Sequence, residues 1–234
     1  MIATLLTGRC EAGGMKYINE VSMFELIDLS VPIEHNMNKY PTDPTVEIME
    51  YKSYDKNRCK LSRLLLSTHT GTHVDAPAHH FRDRKTICDY PLNKFCGRAV
   101  VIYTPKKELQ PITPEDFDGI KITKDDIVLI NTDWDVKRGS DIFYTKAPFF
   151  SEKAAEFLCS LKIKAVGSEM HSIDRYGHSE APAHKTFLQN DVVIYEGLVN
   201  LGKIKGKNVV FIGFPLPIKE GDGAPVRAVA MLLE

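Results

Sequence analysis

Apolar residues along the chain fall mostly into short alternating or β-branched runs that turn residues separate. Phe24–Leu29, Val46–Tyr51, Leu61–Ser67, Ala99–Tyr103, Ile127–Asn131, Ala165–Gly167, Val192–Tyr195, Val209–Ile212 and Val226–Leu232 all read as strands. Helical spacing is rarer. Ser151 is a suitable N-cap, Glu152 suits the positive end of a helix, and Ala154, Phe157, Leu158 and Leu161 then share one face. Thr113-Pro114-Glu115-Asp116 reads as another helix start, with proline at its first position, and a short helix is expected over 182–189 behind Pro182. With no repeat and no low-complexity linker, the pattern predicts one α/β domain over residues 23–234. Residues 1–22 read as an N-terminal extension for which disorder is one expectation, and Met15 and Met23 both stand where a natural start could lie.

Composition narrows the picture by exclusion. The chain has 234 residues, 43% hydrophobic and 26% charged, which is ordinary for a globular protein with a sizeable core. Thirty Lys and Arg face 31 Asp and Glu, so nothing in the charge points to nucleic acid or a membrane surface. No apolar stretch approaches the ~20 residues a spanning helix needs, and Met1–Leu6 lacks the basic lead of a signal peptide. The five cysteines (Cys10, Cys59, Cys88, Cys96, Cys159) are odd in number and show no C-x-x-C, a pattern that fits reduced thiols in the cytoplasm. The expected partners are a small molecule and further copies of the chain.

Chemistry is concentrated in one segment. Residues 69–79 read His-Thr-Gly-Thr-His-Val-Asp-Ala-Pro-Ala-His, and four of the eight histidines lie between 69 and 80. On a strand the two-residue period puts 69, 71, 73 and 75 on one face. Histidines four apart could also share a helix face, but the Thr-Gly-Thr interior disfavours helix and no Glu follows His69 as in metalloproteases. On the strand reading Gly71 leaves room on the ligand face, while Pro77 ends the strand and can aim His79 back at the cluster. Imidazoles joined by a carboxylate suit a divalent ion, and the absence of cysteine favours an open site over a closed structural one. A bridging Asp75 would also permit two ions. A second set, His171, Asp174, His178, Glu180, His184 and Glu196, lies in a turn-rich stretch. There His171 and His178 read as solvated loop residues, His184 falls in the expected helix, and Glu196 ends an apolar strand.

The 69–79 stretch resembles the signature of the metal-dependent cyclase-like hydrolases, a family that includes bacterial kynurenine formamidase and isatin hydrolase. Phe24–Ser30, Asp89–Leu92, Ser172–Asp174 and Gly223–Arg227 are similar to further blocks of that family, so the resemblance runs from about residue 24 to 234. It implies a swivelling β/β/α single domain with a central, mostly β core, usually a dimer or larger. It implies that His69, His73 and Asp75 bind one ion, that Asp75 bridges to a second, and that His184 and Glu196, twelve residues apart, complete that second ion's ligands. It also gives His79 the part of acid/base catalyst and places Tyr40 against the substrate. Two positions depart from the family's usual pattern: Tyr40 stands where formamidases often carry Trp, and His80 sits beside His79.

The expectation is a cytoplasmic homodimer or tetramer with one or two zinc or manganese ions, hydrolysing a small amide or lactam in the manner of an arylformamidase. A divalent ion would acidify water and polarise the carbonyl, and an imidazole would protonate the leaving amine. Tyr40 and Phe81 would wall a ring, with core packing the alternative for each. Two other readings stand beside it: a metal-dependent cyclase or lyase acting on a carbonyl compound without adding water, and a non-catalytic small-ligand binder on the same scaffold.

Overall fold

Ile127–Ile130 is apolar throughout, and all residues of the strand Ile127–Asn131 are buried, as a strand covered on both faces requires. It lies at the centre of the sheet. The computed structural model describes residues 24–233, so the extension expected over residues 1–22 lies outside the described residues.

In chain order the strands are β1 (Leu26–Asp28), β2 (Glu47–Lys52), β3 (Leu61–Leu65), β4 (His73–Asp75), β5 (Cys96–Tyr103), β6 (Pro111–Ile112), β7 (Ile127–Asn131), β8 (Phe149–Phe150), β9 (Ala165–Ser168), β10 (Val193–Glu196), β11 (Val209–Ile212), β12 (Gly223–Pro225) and β13 (Val229–Leu232). The α-helical segments are α1 (Tyr54–Asn57), α2 (Ile142–Thr145), α3 (Glu152–Ser160) and α4 (Pro182–Gln189). Nine strands form one sheet in the order β1-β13-β11-β5-β7-β9-β10-β4-β12. Its middle, β5-β7-β9-β10, is parallel, and the flanking pairs are antiparallel. Alternate residues of these strands feed two cores: Leu129, Tyr195 and Phe211 on one face, and Ile130 and Ile194 with Leu158 of α3 and Phe187 of α4 on the other. The expected α/β fold with a mostly β core is the one that forms.

Local chemistry explains the departures from the sequence pattern. Of the apolar run Val226–Leu232 only Val229–Leu232 is strand, β13, which pairs with β1 and β11, whereas the preceding β12 pairs with β4. At the break the Ser30 hydroxyl accepts the Ala228 N–H at 2.7 Å, replacing a ladder partner. The helix start at Thr113 yields only a 3-10 turn, Pro114–Phe117, closed by a capping box between Thr113 and Asp116. The α3 helix begins as expected, with the Ser151 hydroxyl accepting the Ala154 N–H.

The strand expected over 69–75 is confined to His73–Asp75. Gly71 sits at φ +66° and turns the chain before β4. A Cβ there would meet Val31, Met37 and Ile33, so the glycine serves the turn and does not clear space on the ligand face. Gly197, which follows β10, is at φ +69°, and a Cβ on it would come 2.6 Å from the Gly71 carbonyl oxygen. Gly197→Ala should therefore destabilise the fold by about 2 kcal/mol, lowering the thermal midpoint by roughly 4–8 °C. Calorimetry checks this, and an unchanged midpoint would show that the two turns do not constrain each other.

Candidate active site

β4 lies between β10 and β12, and its register assembles the site. His73 is directly opposite Glu196, and Asp75 is opposite Ile194 on one side and Gly223 on the other. Directly opposed residues share a face, so His73, Asp75 and Glu196 project together although 123 residues separate the first from the last. All three are buried.

His184 reaches the same point from α4. That helix begins at Pro182 after Ala181 in the left-handed region, and its first residues supply no cap of their own. Asp174 does so from outside: its carboxylate accepts the N–H groups of Ala183 and His184 at 2.9 and 3.0 Å. The same carboxylate accepts from His184 Nδ1 at 2.6 Å. That bond fixes the ring and leaves Nε2 facing Glu196 Oε1 at 3.2 Å and Asp75 Oδ2 at 3.6 Å. His73 is held in the same way, with Nδ1 donating to the Gly71 carbonyl at 3.0 Å and Nε2 lying 3.4 Å from both Asp75 Oδ1 and Glu196 Oε2. Histidines whose second nitrogen is tied to a carboxylate or carbonyl are characteristic metal ligands.

His69 completes the set. Its Nδ1 is 2.8 Å from Asp75 Oδ1 and its Nε2 is 2.8 Å from Asp222 Oδ2. The donor atoms form two overlapping clusters, one of His69, His73 and Asp75 and one of Asp75, His184 and Glu196. Asp75 belongs to both. Its Oδ2 is buried and accepts no hydrogen bond among the described residues, a costly state for a carboxylate oxygen without a cation. The donor set thus fits a divalent ion at either cluster, with Asp75 between them.

Protonation shows the same electrostatics. Burial opposes charge on His69 and His73, yet the Asp75, Asp222 and Glu196 carboxylates outweigh it and raise them to about 9 and about 10. Burial and the nearby Asp75 charge push Glu196 up, but its hydrogen bonds to His184 and His73 bring it down to about 2. The pocket floor therefore holds anionic carboxylates that demand positive charge, as imidazolium protons or as a metal.

The 3-10 turn Pro77–His79 carries His79 to the open side of the cluster. Its ring lies 4.0 Å from that of His69, and its Nδ1 is 3.3 Å from Asp222 Oδ2. His80 faces His184 instead, at 5.0 Å between rings. Burial, with His184 and His79 nearby, lowers His80 to about 4, so it stays neutral. Of the adjacent pair, His79 is the one joined to a carboxylate.

The five histidines of the cluster and Glu196 line a cavity of about 250 Å3 that Tyr40, His171 and Arg175 also enclose. Tyr40 is part of that lining, 5.8 Å from the rings of His171 and Tyr176. Phe81 does not line the cavity; it packs against the core that contains Leu158 of α3 and Phe187 of α4, so core packing is its role. His171 is not a solvated loop residue. It is buried between Tyr40, Tyr144 and His73, and burial lowers it to about 4. His178 is exposed at the cavity rim, and Glu180 pairs with Lys185 outside it.

Asp222 is the residue that sequence reasoning missed. Its only signal is an acidic side chain between Gly221 and Gly223, at the edge of the Gly223–Arg227 block. A third cluster, His69, His79 and Asp222, lies on the open side of the other two. Asp222 is held far below the usual carboxylate range by its bonds to His69 and His79.

Known proteins similar to this chain give it a family. Residues 27–175 match the family model described as "Putative cyclase". Kynurenine formamidase of Salinibacter ruber is 32% identical over 206 residues, covering 87% of this chain and 96% of the relative. Kynurenine formamidase of Bacillus cereus is 28% identical over 206 residues, covering 88% and 96%. Isatin hydrolase A from Labrenzia aggregata superposes with a TM-score of 0.79 at 27% identity, covering 90% of this chain and 94% of that one.

Proposed function

This chain belongs to the cyclase family, and from that premise we propose that it is a divalent-metal-dependent hydrolase of small amides or lactams, acting on a C–N bond other than a peptide bond. One observation carries the reading: the fully buried Asp75 joins two sets of imidazole and carboxylate donors and leaves one oxygen without a hydrogen-bond partner among the described residues. The kynurenine formamidase relatives and the isatin hydrolase neighbour support the amide bond as target.

His69, His73 and Asp75 would hold one ion, and Asp75, His184 and Glu196 a second, with zinc and manganese both suited to such ligands. A cation bound there supplies Lewis acidity at the reacting carbonyl and makes a water more acidic. The chain's own groups do the rest. Asp174 and the Gly71 carbonyl set the tautomers of His184 and His73, so that the ligand nitrogens point inward. His79, beside the cluster and hydrogen-bonded to Asp222, takes a proton from the attacking water and returns it to the departing amine nitrogen. Tyr40 offers the substrate an aromatic wall.

Exposed apolar side chains on β1 and β3, including Leu26, Leu64 and Leu65, support a homo-oligomer. Free thiols at Cys59, Cys88, Cys96 and Cys159 support a reducing, cytoplasmic setting. No helix among the described residues is long and apolar enough to cross a membrane.

Metal analysis of the purified protein, followed by turnover of formanilides and cyclic amides, tests the reading. Expected are bound divalent metal, products whose combined mass exceeds that of the substrate by one water (a single ring-opened product from a cyclic amide, an aniline and formate from a formanilide), and activity that a chelator removes and added metal restores. Turnover indifferent to chelation would overturn it, and a product of unchanged mass would favour the cyclase or lyase alternative.

A further inference from the structure

Two cavities meet at the mouth of the site. The ligand-lined cavity of about 250 Å3 and a neighbour of about 230 Å3 share Asp174, Arg175 and His178. The neighbour has a different character, with Phe149, Phe150 and Pro182 in its wall. Among the described residues, Arg175 is the sole lysine or arginine lining either cavity. Its side chain is exposed and forms no ion pair or hydrogen bond among the described residues. Of the acids that line the two cavities, Asp174 serves His184 and the start of α4, and Asp43 and Glu152 form no ion pair with Arg175 among the described residues.

A guanidinium left without a partner beside an otherwise acidic cavity is placed for an anion that arrives with the substrate. Its planar fork matches a carboxylate, which it can grip by two parallel N–H bonds. We infer that Arg175 is a specificity-determining residue that holds a carboxylate of the substrate where the two cavities join. The inference rests on the amide-hydrolase reading. In this arrangement the scissile amide lies over the Asp75 cluster, the acid group meets Arg175, and an apolar portion of the molecule extends along Phe149 and Phe150. Neutral amides lacking the acid group forgo that contact.

The test compares the metal-loaded protein with its Arg175→Gln and Arg175→Lys variants. Substrates are formanilide and formanilides carrying a carboxylate on the ring or on a short side chain. The ratio of kcat/KM for the acidic over the neutral substrate is expected to fall about tenfold in Arg175→Gln, chiefly through KM, since the pair is solvent-exposed and screened. Arg175→Lys, which keeps the charge but loses the fork, should recover part of it. A ratio that stays the same in Arg175→Gln overturns the inference.

Binding is measured separately by titration calorimetry, with aniline and its carboxylated analogues as probes. If no formanilide is hydrolysed, yet the acidic anilines bind more tightly than aniline and lose that margin in Arg175→Gln, the anion site stands and the amide reading falls. If the acidic anilines bind equally well to both proteins, the anion contacts the metal ligands or nothing, and the assignment of Arg175 fails.

Discussion

Asp75→Ala is expected to strip the protein of bound divalent metal and to lower amide turnover by on the order of a thousandfold or more. Both donor clusters run through this one carboxylate: Oδ1 faces His69 and His73, and Oδ2 faces His184. Without it, His69 and His73 are left as two imidazoles with no carboxylate between them, and His184 and Glu196 are left as a second incomplete pair. Imidazole alone gives no negative charge to offset a hard dication in a buried site. Because Asp75 is fully buried, the alanine variant risks misfolding, so Asp75→Asn is the companion. It preserves the shape while removing the charge. Metal content by elemental analysis, turnover and the thermal midpoint are read together on both variants. A folded Asp75→Asn protein that keeps its full metal content and native turnover would end the metal-bridging assignment.

How far the sequence reaches depends on whether a feature is set by near or by distant neighbours. The unbroken apolar run at β7 and the Ser151 cap of α3 depend on residues beside them, and both form as the pattern predicts. The break between β12 and β13 depends on the Ser30 hydroxyl, nearly two hundred residues away in the chain. The local turn at Gly71 is written in the sequence as a glycine, but the side chains of Val31, Ile33 and Met37 that fill the space beside it come from a distant segment. Within the site, His69, His73 and Asp75 stand out by their spacing. The reason His184 and Glu196 join them is the β4–β10 register, which periodicity cannot supply. Asp222 meets His69 and His79 across more than 140 residues, and His171 is buried by Tyr40, Tyr144 and His73 from three separate segments. Such contacts exist only once the sheet is assembled.

His79→Ala is expected to leave metal content intact and to lower turnover by about a hundredfold to a thousandfold. The ring stands outside both clusters that contain Asp75. It is oriented by Asp222, which engages Nδ1 and leaves Nε2 with no protein partner among the described residues. An imidazole so placed acts on protons, and a proton matters most where the departing group is a poor one. The loss should therefore be greatest for amides of basic amines and smaller for anilides whose electron-poor ring lets the nitrogen leave unassisted. A ligand role gives a different result: the third cluster of His69, His79 and Asp222 would lose metal when the ring is removed, and the loss would be the same for every leaving group. Metal analysis and a leaving-group series on the His79→Ala protein separate the two. A flat series with full metal content and native turnover would remove His79 from the chemistry altogether, leaving the proton to be carried by solvent.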